Sequence, residues 1–216
     1  ALTDFARDKF IQGGLPAEKV VCKPNFVHPD PGPGASSRDF ALFVGRLSPE
    51  KRVGTLLNAW KLLRRPLPLV VIGGGPQFEE LKVTSSRLGL SEVCFEGPLP
   101  RDRVLAAMKG AQFLIFPSEW YESFPMTIAE AMACGTPVIC SRLGAMQEIV
   151  EDGRTGLHFT PGDSADLAAK IDWATAHPER VREMGRQARR EFEEKYTAEQ
   201  NYSLLMDIYG RVLATN

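Results

Sequence analysis

The chain has no apolar run long enough to cross a membrane and no stretch built like a signal peptide, so a cytoplasmic setting is expected. It also lacks an excess of either charge. Its 26 basic and 27 acidic side chains leave a net charge of −1, whereas a general nucleic-acid binder carries a basic surplus. Cysteine and histidine are scarce. Cys22, Cys94, Cys134 and Cys140 show no metal-ligand spacing and three fall in predicted strands or helices, so buried free thiols in a reducing compartment are expected. His28, His158 and His177 are scattered and no Asp-x-Asp pair occurs, so no metal site is expected. No internal repeat is apparent.

What is present is an ordinary globular make-up. The 216 residues, 44% hydrophobic and 25% charged, suffice for one large domain or two small ones around a real core. The most informative stretch is FLIFPSEWYESFPMTIAEAMACGTPVICS, residues 113–141. Its first apolar run, 113–116, has the length of a buried strand and is stopped by Pro117. A polar loop carrying Glu119, Glu122 and Ser123 follows. Pro125 suits a first helical turn and Gly135 the position just past a helix end, which predicts a compact helix between them. A second apolar run, 138–140, completes a parallel βαβ unit.

That helix has almost no polar face, so it should be buried nearly all round, with Glu130 as its single charge. A carboxylate in such a place is costly unless bonded, so a partner is expected. Glu122 stands eight residues earlier, at the mouth of the helix. Eight helical residues span about 12 Å, enough for two carboxylates to grip separate polyols of one elongated ligand. Backbone N–H groups of the helix N-terminus lie between them and suit phosphate. The plainer alternative is a solvated loop Glu and an ordinary helical Glu.

Along the chain, Leu2, Phe5, Ala6 and Phe10 share a helical face that Gly13 and Gly14 end, and KVVC (19–22) has the pattern of a short strand. HPDPGPGASSRD (28–39) is a Pro/Gly/Ser linker. From Phe40 apolar runs at 40–44, 68–72, 93–96, 113–116, 137–140 and 157–159 alternate with helical patterns such as Val53, Leu56, Leu57, Trp60 and Leu63. The fold class expected is α/β: a Rossmann-like parallel sheet of about six strands with helices on both faces and ligands beyond the C-terminal strand ends. Asp163 or Ser164 should cap a helix bearing Leu167, Ala168 and Ile171, which His177-Pro178 breaks. Val181, Met184, Ala188 and Phe192 line the next, with RQARREFEEK as a solvated face. TAEQ (197–200) has the capping-box pattern and opens a last helix over 197–213 carrying Tyr202, Leu205, Met206, Tyr209 and Val212.

Three loops at the predicted functional edge carry further candidates. GRLSPEK (45–51) opens on Gly45, and its Arg46 and Lys51, with helix amides, suit a diphosphate; equally, they are two solvated charges with Glu50 neutralising one. GGGP (73–76) centres on Gly74 and either lets backbone approach a ligand or simply makes a tight turn. Phe78 stands where a dinucleotide fingerprint needs its third Gly, which argues against a nicotinamide dehydrogenase. EGPLP (96–100) ends the third run.

ESFPMTIAEAMACGTPVI resembles the Glu, seven residues, Glu motif of retaining glycosyltransferases with the GT-B fold, most closely family four. The resemblance extends over nearly the whole chain through PNFV, GRLSPEK, EGPLP and SRLGAMQEIVEDGRTGLHFTPGD. It implies that Glu122 contacts donor-sugar hydroxyls and Glu130 the nucleotide ribose. Arg46 and Lys51 would then bind the donor pyrophosphate, and Pro98 and Leu99 would touch the base through their backbone. Pro125 replaces a Gly found in some members, which leaves Phe124, Met126 and Thr127 as the available amides. Arg52 stands where many members have Gly after the Lys, Ala145 replaces a common second Gly, and Glu148 is expected to be structural.

On this resemblance, residues 39–216 are a nucleotide-sugar-binding domain. Residues 1–38 are the last helix, strand and hinge of an N-terminal domain that would hold the acceptor, and the final helix crosses back to that domain. The partners implied are a nucleoside diphosphate sugar and an acceptor, with no cofactor, no metal, no nucleic acid and no membrane span. The same reading allows self-association through the last helix and a membrane-peripheral setting through the N-terminal domain. Two other readings stand beside it: a non-catalytic nucleotide-sugar-binding module or subunit, and a sugar-nucleotide epimerase domain.

Overall fold

The computed structural model describes residues 1–34 and 39–214. Six apolar runs form β1 (Ala41–Val44), β2 (Leu69–Ile72), β3 (Val93–Gly97), β4 (Phe113–Phe116), β5 (Val138–Ser141) and β6 (Gly156–Phe159). All pair in parallel, in the order β3-β2-β1-β4-β5-β6. This is the Rossmann-like sheet the alternation predicts. Central strands are covered on both faces and are therefore apolar at every position, whereas edge strand β3 alternates and leaves Cys94 and Glu96 exposed.

The helices are α1 (Asp4–Gln12), α2 (Val53–Leu62), α3 (Phe78–Leu88), α4 (Arg101–Gly110), α5 (Met126–Ala133), α6 (Gly144–Ile149), α7 (Ser164–Ala176), α8 (Pro178–Lys195) and α9 (Ala198–Ala214). One face of the sheet is packed by Leu56, Leu57 and Trp60 of α2 with Leu167 and Ile171 of α7. The other is packed by α4, α5 and α6. Helix α8 passes from one face to the other: Val181 and Met184 join the first core, Ala188 and Phe192 the second. None of the helices among the described residues is long and apolar enough to cross a membrane.

Chain order places a topological switch between β1 and β4, since the connections leave β1 toward β2 on one side and return to β4 on the other. Ligands on such sheets bind in the crevice at the switch point, beyond the carboxyl strand ends. Here β1 is paired with β2 along all of Ala41, Leu42, Phe43 and Val44, but with β4 only at Ala41 and Leu42. The ladder stops short of the carboxyl edge, where the crevice opens.

Several expectations need correcting. KVVC is no strand: Ala17–Lys19 is a 3₁₀ turn and Val20 onward is extended, with Val21 O accepting from the Ala1 ammonium at 2.7 Å and Lys23 N–H donating to Ala1 O at 2.8 Å, but no described strand lies alongside to complete a ladder. Cys94 is exposed and Cys22 only half-buried, so buried thiols are confined to Cys134 and Cys140, the former pushed up to about 11 by burial. Pro125 is the N-cap of α5, and the helix begins at Met126. RQARREFEEK is not uniformly solvated: Glu191 is buried and bonded by Arg154 and Lys195.

The 28–39 stretch is tied down as far as it is described, its residues 35–38 lying outside the described ones. Asp30 takes both Nη atoms of Arg189 at 2.7 Å. Gly34 N–H donates to Cys134 O at 3.0 Å, and Lys109 Nζ donates to Pro31 O. Helix α1 docks on α6 because both carboxylate oxygens of Glu148 accept its first amides, Asp4 and Phe5 N–H, at 2.8 Å, so Glu148 is structural. Asp163 caps α7 by accepting from Ala165 and Asp166 N–H. Thr197 caps α9 by accepting from Gln200 N–H at 3.3 Å. Tyr202, Met206 and Tyr209 of α9 stand exposed.

Candidate functional site

At the switch point two loops meet. The loop after β1 ends in a 3₁₀ turn, Pro49–Lys51, which aims Lys51 at the loop after β4. Lys51 Nζ donates to Glu122 Oε1 at 2.5 Å and lies 5.1 Å from the Phe116 ring centroid. Ser118 Oγ donates to the same carboxylate oxygen at 2.9 Å. Lys51 and Glu122 side chains keep 21% and 17% of their exposure, so the pair is poorly screened by water while still reachable from the crevice. Glu119 N–H donates to Glu50 O at 3.0 Å, which closes one loop on the other. Arg46 stands exposed on the rim, and its charge reaches Glu50. The Ser48 hydroxyl is the main cause that holds the Glu50 carboxyl below its usual range, with Arg46 and Lys51 adding to it.

Arg52, where the resemblance leads one to expect Gly, adopts φ 53° and ψ 39° in spite of its side chain. The left-handed bend that turns the Lys51 loop into α2 is therefore kept. A non-glycine residue in this region costs about 1–2 kcal/mol. Part of that is offset by the Arg52 Nε–Glu119 Oε2 ion pair at 2.7 Å, which also anchors the β4 loop.

The glycine run after β2 resolves into two roles. A Cβ on Gly73 (φ 142°) would stand 1.9 Å from Gly45 O, and one on Gly75 (φ 155°) 2.4 Å from Leu47 O. Both glycines exist for backbone-on-backbone packing between the β1 and β2 loops, which Leu47 N–H to Gly74 O at 2.9 Å also holds. Gly74 itself has room, with Pro98 at 3.7 Å from its would-be Cβ. Gly45, Gly74 and Pro98 are thus brought to one rim across β1, β2 and β3. Pro98 is exposed and Leu99 half-buried against the α4–α5 core.

Helix α5 starts at the crevice without a side-chain cap, so the first amides, Met126 and Thr127 N–H, have no intrahelical partner. Phe124 contributes only backbone there, because its ring is buried edge-on against Tyr196, 5.6 Å between centroids. Glu130 lies one turn into α5 with 19% of its side-chain exposure, and its partner is Arg101 of α4, Nε to Oε1 at 3.3 Å. Neither Arg101 nor Ser118 was legible as a site residue in the sequence. Ser118 lies in the marked loop, but nothing in PRDR (100–103) points to α5. The N-terminal segment also reaches the β4 loop: the rings of Phe5 and Tyr121 are 5.0 Å apart, and Thr3 Oγ1 donates to Ser123 O at 3.5 Å.

Comparison with known proteins bears on this arrangement. The family model for glycosyl transferases group 1 matches residues 30–191. The chain is 32% identical over 161 residues to D-rhamnosyltransferase WbpZ of Pseudomonas aeruginosa, covering 74% of the chain and 42% of that protein. It is 34% identical over 152 residues to D-inositol 3-phosphate glycosyltransferase of Thermomonospora curvata, covering 64% of the chain and 35% of that protein. It therefore spans well under half the length of these relatives. Among solved structures, Anabaena HepE in complex with UDP and glucose superposes with a TM-score of 0.89 at 22% identity, over 98% of the chain and 62% of HepE. Sucrose-phosphate synthase of Thermosynechococcus elongatus gives 0.87 at 23% identity, over 100% and 58%. The chain belongs to the glycosyl transferases group 1 family and has the fold of the C-terminal domain of a GT-B glycosyltransferase.

Proposed function

We propose that these residues are the donor-binding half of a retaining glycosyltransferase, one that moves a sugar from a nucleoside diphosphate sugar to an acceptor. The observation that carries the reading is the meeting of Lys51 and Glu122 at the β1–β4 switch point, beside the uncapped start of α5 and one helical turn from Glu130. In this reading the diphosphate lies between Lys51 and Arg46 on one side and the Met126 and Thr127 amides on the other. The two cations stabilise charge that develops on the leaving diphosphate, and no metal or other cofactor is required. Glu122 holds the donor sugar and Glu130 the ribose. Gly45 and Gly74 let the nucleotide approach the backbone, while Pro98 and Leu99 flank the base. HepE, whose fold this chain shares, was solved with UDP and glucose, which makes uridine nucleotides the first to test.

The acceptor would be held by an N-terminal domain, with residues 1–38 as its end and hinge and the exposed face of α9 against it. The 216 residues alone are then expected to bind donor and transfer nothing, since losing acceptor orientation forfeits up to about 7–11 kcal/mol of barrier lowering. The deciding experiment is calorimetric titration with UDP, GDP, ADP and their sugars on the wild type and Glu130→Gln. Replacing a charged acceptor of ribose hydroxyls by a neutral one should weaken the nucleotide by about 1.5–3 kcal/mol. Equal affinity of the two proteins sinks the ribose assignment. Turnover by these residues alone, with a labelled donor and mixed acceptors, refutes the divided-site reading.

A further inference from the structure

Glu130 comes with a fixed neighbour, and its geometry is unequal at the two carboxylate oxygens. Arg101 Nε engages Oε1 at 3.3 Å, while Oε2 has no partner among the described residues. Arg101 is itself held from behind, its Nη1 donating to His28 O at 3.5 Å. His28 opens the 28–34 segment, which Asp30 and Gly34 anchor to α8 and to the end of α5 and which Lys109 anchors to α4. The guanidinium therefore joins the carboxylate on α5 to a braced stretch of backbone and the first turn of α4. A carboxylate offers about four lone-pair directions, so the Arg101 bond at Oε1 leaves Oε2 available to accept from a ligand.

We propose that Arg101 is the positioning residue for Glu130: by holding Oε1 it fixes the rotamer that presents Oε2 to the ribose hydroxyls of the donor nucleotide. This rests on the assignment of Glu130 to the ribose. A long Glu side chain free to rotate must be ordered when ligand binds, and the Arg101 contact meets that ordering cost in advance. Arg101 keeps 48% of its exposure, so the effect is that of a half-solvated pair, about three- to five-fold in affinity. The sign separates this idea from its converse. An Arg101 that merely occupied the ligand's place would, on removal, leave the nucleotide bound more tightly.

The test uses the 216-residue chain and calorimetry with UDP, GDP and ADP, each beside its 2′,3′-dideoxy counterpart. Arg101→Ala should weaken the ribonucleotide about three- to five-fold and leave the dideoxy nucleotide unchanged. Arg101→Lys should recover part of the loss, and Arg101→Ala should add nothing in a Glu130→Gln background. A purely structural role for Arg101 would weaken both nucleotides alike, and unfolding midpoints in urea register that separately. Tighter binding, or equal loss with the dideoxy nucleotide, overturns the proposal while leaving the ribose assignment intact if Glu130→Gln still weakens binding. If Glu130→Gln has no effect, or none of the three nucleotides binds, the ribose assignment fails and the positioning role fails with it.

Discussion

The Lys51–Glu122 pair should be measurable as a coupling energy in the ligand-free protein. Its contact is short, 2.5 Å, and both side chains are about four-fifths covered, so water screens it less than an exposed ion pair. Lys51→Met leaves the Glu122 carboxylate with Ser118 Oγ as its remaining donor among the described residues. Stripping one partner from a covered charge costs about 1–3 kcal/mol. The higher figure of about 3–5 kcal/mol applies to fully buried pairs, which an opening crevice does not resemble. Glu122→Gln keeps an amide oxygen for both donors and should cost about 0.5–1.5 kcal/mol. The double variant removes both charges together and leaves neither stranded, so its cost should fall short of the sum by about 1–2 kcal/mol. For a domain of this size, each kcal/mol moves the melting temperature by about 2–4 °C. Urea unfolding of the four proteins gives the cycle, and repeating it in high salt should shrink the coupling only slightly. Strictly additive single-variant costs would show that the two side chains do not hold the loops to each other, and the idea of a pre-assembled switch-point site would go with them.

Three further outcomes follow from the same geometry. Since Glu122 competes for Lys51, Glu122→Ala should leave a bare nucleoside diphosphate bound as well or better while weakening its sugar conjugate, and Lys51→Ala should weaken both; calorimetry showing bare diphosphate lost in Glu122→Ala would mean Glu122 touches phosphate. At position 52, Ala and Gly both lose the Glu119 pair, but only Ala keeps the left-handed strain. Arg52→Gly should therefore unfold about 0.5–1 kcal/mol later than Arg52→Ala, after allowing for the extra freedom of unfolded glycine, and an equal or reversed order in urea would count against strain there. The Arg189 guanidinium is the chief cause that holds the Asp30 carboxyl below its usual range, opposed by burial and helped by Gly32 N–H. A depressed carboxylate stabilises the fold above its unfolded value and loses that contribution as pH falls through the folded one, so the difference between wild type and Asp30→Asn should close below about pH 4. Asp30 is half-exposed, which limits the difference to about 0.2–1 kcal/mol, and a gap that does not narrow as pH falls below about 4 would contradict the account.

Much of this protein is written locally and could be read from the chain alone. Six apolar runs separated by helical patterns specify a parallel sheet, because strands buried on both faces must be apolar throughout and parallel strands need crossovers. The start of α5, to within one residue, and its end follow from Pro125 and Gly135, and the expected partner of Glu130 follows from the cost of an unpaired carboxylate in an apolar helix. What the sequence left open were relations across long separations. Whether Gly73 and Gly75 serve a ligand or a turn depended on how closely the Gly45 and Leu47 carbonyls approach. The bend at Arg52 depended on Glu119, 67 residues on, being in reach of its guanidinium. KVVC has the composition of a strand, yet a ladder requires a neighbour, and no described strand supplies one. Most of all, the identity of the group that pairs with Glu130 was settled by the packing of α4 beside α5, which brings Arg101 across 29 residues. Periodicity and turn chemistry act over one helical turn or one strand and so leave a direct trace in the sequence. Charge pairing acts over a few ångströms of space, and only the folded chain decides which residues share them.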